Sequence, residues 1–534
     1  MPTSASTTSS SSLTPPRRFV PPAGGEGEQG NVQSLLQLSL LRGKHLSWNY
    51  LKKILGAGLL TTCLWLISRR RRSTALDNLP GPPAGSWLSG SLDLIADKNG
   101  WEYHREISEK YGSIIRIKGL FGRNGLYVYE PKAALTHSLQ DQNIYEEAEG
   151  FIQINKLLFG EGLLATLGEQ HRRHRKMLNP VFSIAHLREM VPIFYDVVRK
   201  LQDTLVKMTA NGPKEVDMLD WNTRVALELI GQSGLGYTFD SLEENSIPHP
   251  YAVAAKKMVS GSSEIPAVVR KWLVPTIVQL IPRRLGRFLV DWVPSQTLHL
   301  LRDGVDLFHK TSVEIVEAKK KAIQEGDEAL TTQVGRGKDV ISILMKANMA
   351  TSAEDKLSDE ELLGQVTTLT FAATDTTSGA LSRIIHLLAT HKDYQAKVRE
   401  EIRVARKANG GQDLGYDALS ALPFLEAICR ETLRLYPPVS TLMRVARADI
   451  MLPLGSPVKG INGEEIREIP VPKGTPIVIS ILSSNRDPKL WGPDAYEWKP
   501  ERWLKPLPEA VVNARIAGVY SHLLTFFGGS RACM

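Results

Sequence analysis

Cysteine is scarce: Cys63, Cys429 and Cys533 are the only three among 534 residues. An odd number of widely spaced thiols excludes a disulfide framework and points to a reducing compartment, so a cysteine with a task here works as a thiol or a ligand. The sequence also lacks a CxxC pair, HExxH, GxxxxGK[ST] and a GxGxxG after a strand. The common zinc and nucleotide-binding signatures are thereby removed. Charge of one sign does not dominate. Sixty-five Lys and Arg against 57 Asp and Glu leave a net charge of +8, which suits solubility or an acidic lipid or protein partner and gives no reason to expect nucleic acid.

Long apolar runs are lacking too, apart from Ile54 to Ile67, which ends at Ser68 and the four arginines Arg69 to Arg72. Residues 1–31 are rich in Ser, Thr, Pro and Gly and read as a disordered tail. Acidic Glu26 and Glu28 argue against a mitochondrial presequence. Residues 32–68 form an N-terminal segment with a membrane anchor at its core, 51–68. The run is shorter than a full span, but Leu51 extends it if Lys52 and Lys53 snorkel, so the anchor either crosses the bilayer or lies in its interface. The arginine flank keeps the following chain cytosolic. Residues 69–83 are a basic and Pro-rich linker whose Leu79-Pro80-Gly81-Pro82-Pro83 is extended and stiff.

Residues 84–534 read as one large domain; 42% hydrophobic residues supply its core. The pattern predicts a helix from Trp101 to Tyr111, then strands at Ser113–Lys118 and Gly125–Tyr129. Helical spacing covers 184–235 and 296–350, broken by a surface loop near 325–338. Between 259 and 294, apolar residues interleave with Arg270, Lys271, Arg283, Arg284 and Arg287, a pattern shared by a second membrane contact and by a core helix with a solvated basic face. The fold class is mainly α with small β-sheets, α+β.

Four segments carry candidate chemistry. Ser358, followed three residues later by Glu361, caps a long, largely apolar helix running past Ser378 toward Thr390. Inside it lies the polar knot Ala372-Ala373-Thr374-Asp375-Thr376-Thr377. Its hydroxyls and carboxylate need partners, and a Thr bonded one turn back loosens a helix, so the knot is either a satisfied buried patch or a kink that holds a small ligand. Glu431 and Arg434 share one helical face just before Pro437 and Pro438. Arg502, between Trp498 and Trp503, is placed to join them in one buried network. The chain closes with Phe526-Phe527-Gly528-Gly529-Ser530-Arg531-Ala532-Cys533-Met534, where adjacent glycines let backbone run flat against a planar ligand and present Cys533 beyond the turn.

Taken together and in this order, the segments over residues 79–534 resemble the cytochrome P450 family. Phe526, Gly529, Arg531 and Cys533 match its Phe-x-x-Gly-x-Arg-x-Cys signature, and Glu431 and Arg434 its Glu-x-x-Arg motif. Residues 498–503 are similar to its Pro-Glu-Arg segment, and Ala372–Thr377 to its oxygen-binding motif, with Ala373 where Gly is usual. The resemblance implies haem b with Cys533 as thiolate ligand to iron, a ligation that favours O–O cleavage. It implies that Thr376 hydrogen-bonds the oxygen bound at the iron while Asp375 helps relay protons for that cleavage, with Thr377 a neighbour. Phe526 would lie against the haem, while His171, Arg175, Arg444 and Arg531 would meet its propionates. His171 stands where Trp is more usual. The stretch His171-Arg172-Arg173-His174-Arg175 also offers a basic face to an acidic reductase.

The implied activity is a monooxygenase that inserts one oxygen atom from O2 into a small apolar substrate. Its electrons come from NADPH through NADPH-cytochrome P450 reductase, with cytochrome b5 as a second donor. The implied location is the endoplasmic reticulum membrane, held by a single-pass N-terminal anchor with the catalytic domain cytosolic. The family continues after its cysteine with a Gly, a helix that stabilises the thiolate and a terminal hairpin. None of these follows Cys533 here, so the expectation is a domain truncated at its C-terminus. The competing reading is a non-catalytic haem-domain fragment that acts at most as a membrane-tethered binding protein.

Overall fold

The computed structural model describes residues 56–58, 61, 74–132, 144–326, 337–352, 354–516 and 520–534. The chain divides into two units, Met1–Arg71 and Arg72–Met534. In the first, Gly56–Gly58 are helical and the Thr61 hydroxyl donates to the Ala57 carbonyl at 2.8 Å. The tail expected over 1–31, nearly all of the anchor over 51–68 and the arginine run fall outside the described residues. Among the described residues no helix is long and apolar enough to cross a membrane.

The second unit is mostly helical. Its longer helices are α1 (Trp101–Tyr111), α2 (Glu149–Phe159), α3 (Gly168–Leu178), α4 (Ile184–Thr209), α5 (Met218–Ile230), α6 (Pro250–Glu264), α7 (Val274–Leu280), α8 (Arg283–Trp292), α9 (Gln296–Glu325), α10 (Val340–Ala350), α11 (Asp359–Thr390), α12 (Lys392–Ala408) and α13 (Pro423–Leu435). Helix α1 has the expected bounds, because Gly112 at φ 83° takes up the left-handed turn that ends it.

Among the described residues seven strands form two sheets: β1 (Ile114–Lys118), β2 (Asn124–Val128), β3 (Tyr145–Glu146), β4 (Thr441–Ala446), β5 (Ile450–Lys459), β6 (Glu465–Val471) and β7 (Pro476–Ser480). The larger has the order β1-β2-β7-β4-β3, and β5 pairs with β6 alone. Strand β7 runs parallel to β2 and antiparallel to β4. Its Ile477, Val478 and Ile479 are fully buried because both faces of the sheet are covered: Ile477 and Ile479 join one apolar cluster and Val478 another.

Helix α11 organises the helical half. Ser358 and Glu361 form the expected capping box. It also contains an interior glycine, Gly364, for a packing reason: a Cβ there would lie 2.3 Å from the Gly162 backbone nitrogen. Two glycines thus let the loop before α3 press backbone to backbone against α11. The main apolar cluster, including Leu362, Val366 and Leu369 of α11, Phe308 of α9 and Leu344 of α10, packs around this helix.

One expectation is corrected, and one of two open readings is set aside. The linker drawn over 69–83 is already part of the domain from Ala75: Leu76 and Leu79 are buried with the β5-β6 sheet, and the Pro80 carbonyl accepts from Arg116 N at 2.9 Å. Apolar anchors at 76 and 79 outweigh the proline-rich composition that suggested a free spacer. The stretch 259–294 is not a core helix. It breaks into the end of α6, a π-helical turn Val269–Leu273, α7 and α8, and leaves Trp272, Leu280, Leu285, Phe288 and Trp292 facing outward.

Candidate active site

The C-terminal segment is shaped by its own backbone. Phe527 (φ 54°) and Gly529 (φ 76°) are left-handed, and the loop closes where Ala532 N donates to Gly529 O at 3.1 Å and Cys533 N to Phe526 O at 2.9 Å. Cys533 is thereby held at the end of a short turn with its thiol accessible. Protein atoms surround the recess, and that desolvation pushes the thiol pKa up while the Arg175 guanidinium pulls it down. Phe526 packs edge-on against Tyr520, 5.3 Å between ring centres.

Three guanidiniums meet at this turn, Arg531 from within it and Arg175 and Arg444 from elements remote in sequence. Arg175, on α3, donates to the Ala532 carbonyl at 2.9 Å. Arg531 donates to Thr166 O at 3.0 Å and pairs with Glu146 at 2.9 Å. Arg444, on β4, lies over the Phe527 ring and pairs with Glu147 at 2.7 Å. His171, one turn before Arg175 on the same buried face of α3, is neutral: burial together with Arg531, Arg175, His174 and Arg444 pulls its pKa down to about 3. Glu146 and Glu147 were not singled out in the sequence. Glu146 ends β3 and Glu147 follows it, and their partners Arg531 and Arg444 lie hundreds of residues away, so the pairing has no local signature.

The chemistry of this donor set fits haem. Three cations and an uncharged imidazole suit a flat group bearing two carboxylates, the accessible thiol suits iron, and Arg175 has no carboxylate partner among the described residues.

Helix α3 is keyed to α11 by a cluster around the cap residue Glu361. Its carboxylate accepts from Ser358 N at 2.8 Å, Gln170 Nε2 at 2.9 Å and His174 Nε2 at 3.0 Å, and pairs with Arg173. His174 is fully buried, and its Nδ1 accepts from Gln365 Nε2 at 2.9 Å, which leaves the proton on Nε2. These bonds orient α3 so that His171 and Arg175 face the cysteine turn. Arg172 instead points to solvent beside Glu169.

The polar knot of α11 does not break the helix, which stays helical from Asp359 to Thr390. Its hydroxyls are satisfied internally: Thr374 Oγ1 donates to Thr370 O at 2.7 Å and Thr376 Oγ1 to Ala372 O at 2.8 Å. Burial raises the Asp375 pKa above the ordinary carboxylate value. Thr377 is exposed. No hydrogen bond joins Asp375 or Thr376 to the cysteine turn among the described residues, but Met534 packs against the cluster containing Leu369 and Phe371 of the same helix.

Glu431, Arg434 and Arg502 come together as the sequence suggested. Arg434 grips Glu431 through Nε and Nη2, both at 2.8 Å, and both side chains are completely buried. Its remaining donors go to Asn485 O at 2.9 Å, Ala495 O at 2.6 Å and Glu497 O at 3.1 Å. Glu431 also accepts from Trp503 Nε1, Lys499 N and, at 3.4 Å, Arg502 Nε. The network ties α13 to the segment leading to the cysteine turn.

Comparison with known proteins agrees with this geometry. The model of the cytochrome P450 family matches residues 80–534. The chain is 47% identical over 484 residues to cytochrome P450 monooxygenase 91 of Postia placenta, covering 91% of this chain and 88% of that protein. It is 45% identical to cytochrome P450 monooxygenase 212 of the same fungus, over 91% of this chain and 89% of the relative. With a ganoderic acid synthetase of Ganoderma lucidum it shares 43% identity over 88% of this chain and 86% of the relative. A fold, a cysteine turn and sequence kinship that agree over most of the chain place it firmly: it belongs to the cytochrome P450 family of monooxygenases.

Proposed function

We propose that this protein inserts one oxygen atom from O2 into a small apolar substrate, using electrons from NADPH passed on by NADPH-cytochrome P450 reductase, with cytochrome b5 as an auxiliary donor. The observation that carries the reading is the convergence of Arg175, Arg444, Arg531 and neutral His171 on the turn that presents Cys533. Haem b bound there, with the Cys533 thiolate on its iron, supplies the dioxygen-cleaving chemistry. The chain's own residues do the rest. The arginines bind and orient the propionates, and the Glu431–Arg434–Arg502 network holds rigid the approach to the cysteine turn. Asp375, whose carboxyl pKa is raised by desolvation, relays protons, and Thr376 Oγ1, one residue on, passes them inward.

A membrane location follows the same reading: the basic-flanked apolar run 51–68 anchors the chain at the endoplasmic reticulum with the catalytic domain cytosolic. The outward Trp272, Leu280, Leu285, Phe288 and Trp292, beside Arg287, support contact with the same lipid surface. The reading is tested by the carbon monoxide difference spectrum of the reduced, haem-loaded protein. A thiolate-type Soret shift, lost in Cys533→Ser, is expected; haem uptake with an unchanged spectrum in that variant would remove Cys533 as the ligand and with it the proposed chemistry.

A further inference from the structure

The amide of Gln365, on α11, belongs to none of the motifs in the sequence, yet it bonds two separate elements at once. The side chain is completely buried. Its Nε2 donates to His174 Nδ1 of α3 at 2.9 Å, and its Oε1 accepts from Leu163 N at 3.1 Å. The reach is possible because Gly162 and Gly364, which precede Leu163 and Gln365, bring the two backbones into contact. The amide has one workable orientation. His174 Nε2 gives its proton to Glu361, so Nδ1 can only accept, and the Leu163 amide can only donate. Turning the amide over would leave both buried partners unpaired.

From Leu163 the connection runs on to the cysteine turn. Leu163 opens the one-turn helix Leu163–Ala165, and the buried Thr166 hydroxyl that follows donates back to the Leu163 carbonyl at 3.1 Å. The Thr166 carbonyl in turn accepts from Arg531 Nη2 at 3.0 Å. Ala532, between Arg531 and Cys533, accepts from Arg175 at 2.9 Å, and Arg175 follows His174 on α3. The path therefore closes on itself. It passes from α11 through Gln365 to the loop, through Thr166 to the turn, through Arg175 to α3, and through His174 back to Gln365. A closed circuit of directional bonds fixes the turn against both helices, where any single bond would let it pivot.

We propose that Gln365 is a positioning residue for the haem ligand: with Thr166 it sets where the turn presents Cys533, and so governs how firmly haem is held and how fully its iron keeps the thiolate. The inference rests on Cys533 as that ligand. Gln365 bonds none of the residues assigned to the haem except through His174 and the loop, so its effect reaches the iron by way of the turn. Groups that orient a metal ligand without touching the metal are commonly worth about 10- to 100-fold in affinity, and the lower end of that range is expected here.

The test compares full-length, haem-loaded wild type, Gln365→Leu, Thr166→Val and Thr204→Val by the rate of haem loss to excess apomyoglobin and by the carbon monoxide difference spectrum of the reduced protein. Thr204→Val is the matched control. Like Thr166→Val it removes one buried threonine bond to a carbonyl, but that bond, to Leu242 O at 2.7 Å, joins α4 to a residue outside the circuit. Haem loss about tenfold faster in Gln365→Leu, with a diminished thiolate-type Soret band, is expected. Thr166→Val should move both readouts in the same direction, and Thr204→Val neither, although urea unfolding weakens the two threonine variants alike. Thr166→Val decides the matter should Gln365→Leu fail to fold: haem loss and a thiolate band equal to those of Thr204→Val overturn the proposal. A wild-type thiolate band that Gln365→Leu retains in full overturns this inference alone, whereas a wild type without that band overturns the Cys533 reading with it.

Discussion

Replacing Arg434 by Met is the sharpest test of the physical reasoning about the core of this enzyme. The guanidinium is fully buried and uses all five N–H donors, two on Glu431 and three on the carbonyls of Asn485, Ala495 and Glu497. Arg434→Met keeps volume and removes every one of them. The Glu431 carboxylate is left at zero exposure with only Trp503, Lys499 N and a long bond from Arg502. Breaking a buried pair from one side costs about 3–5 kcal/mol, a large share of the roughly 5–15 kcal/mol that holds a domain folded. Arg434→Lys keeps the charge but cannot span a carboxylate and three carbonyls, so an intermediate loss of about 1–3 kcal/mol is expected. Removing both partners in Glu431→Gln/Arg434→Met should be milder than the sum of the single changes. Urea unfolding followed by far-ultraviolet circular dichroism gives all four values. If Arg434→Met unfolds within about 0.5 kcal/mol of the wild type with an unchanged slope, the claim that this pair fastens α13 to the cysteine turn is refuted.

The Glu361 carboxyl is held at about 2, below its ordinary 4.5, by hydrogen bonds from Gln170, Ser358 and His174 that outweigh its burial. Its contribution to stability is complete above pH 4.5 and is lost as pH falls toward 2, so the wild type should lose its advantage over Glu361→Gln across that window; parallel urea midpoints for the two proteins there would contradict the assignment. Asp375→Asn removes the carboxyl assigned to proton delivery in the proposed function and should lower product formation by roughly 10²-fold or more, while NADPH oxidation falls less; equal losses of both rates would argue against that role. Gly364→Ala forces a methyl group against the Gly162 backbone nitrogen, and a loss of about 1–3 kcal/mol in urea unfolding is expected. A neutral result would mean that the contact between α11 and the loop before α3 is free to open.

Local spacing made much of this molecule legible. Helix α1 follows from a periodic stretch bounded by glycines, the start of α11 from Ser358 and Glu361, and the Glu431–Arg434 pair from two residues three apart on one helix. The cysteine turn could be singled out because its glycines and its thiol are adjacent in the chain. The reading fell short where two signals competed. Proline-rich composition around 79–83 concealed the core residues Leu76 and Leu79, and the Thr-rich knot of α11 left a satisfied patch and a kink open until the intact helix, with Thr374 and Thr376 bonded one turn back, showed the former. The interleaved stretch 259–294 left membrane contact and core helix open, since period alone does not say what lies opposite an apolar face.

By itself the sequence determined the family signature, the thiol that carries it and the elements whose contacts lie within one or two helical turns. The tertiary structure decided which charges meet: Glu146 with Arg531, Glu147 with Arg444, and Arg175 with the carbonyl before the cysteine. Those partners are separated by hundreds of residues. Their energies depend on burial and on which neighbours share a recess, quantities that exist only once the chain has folded.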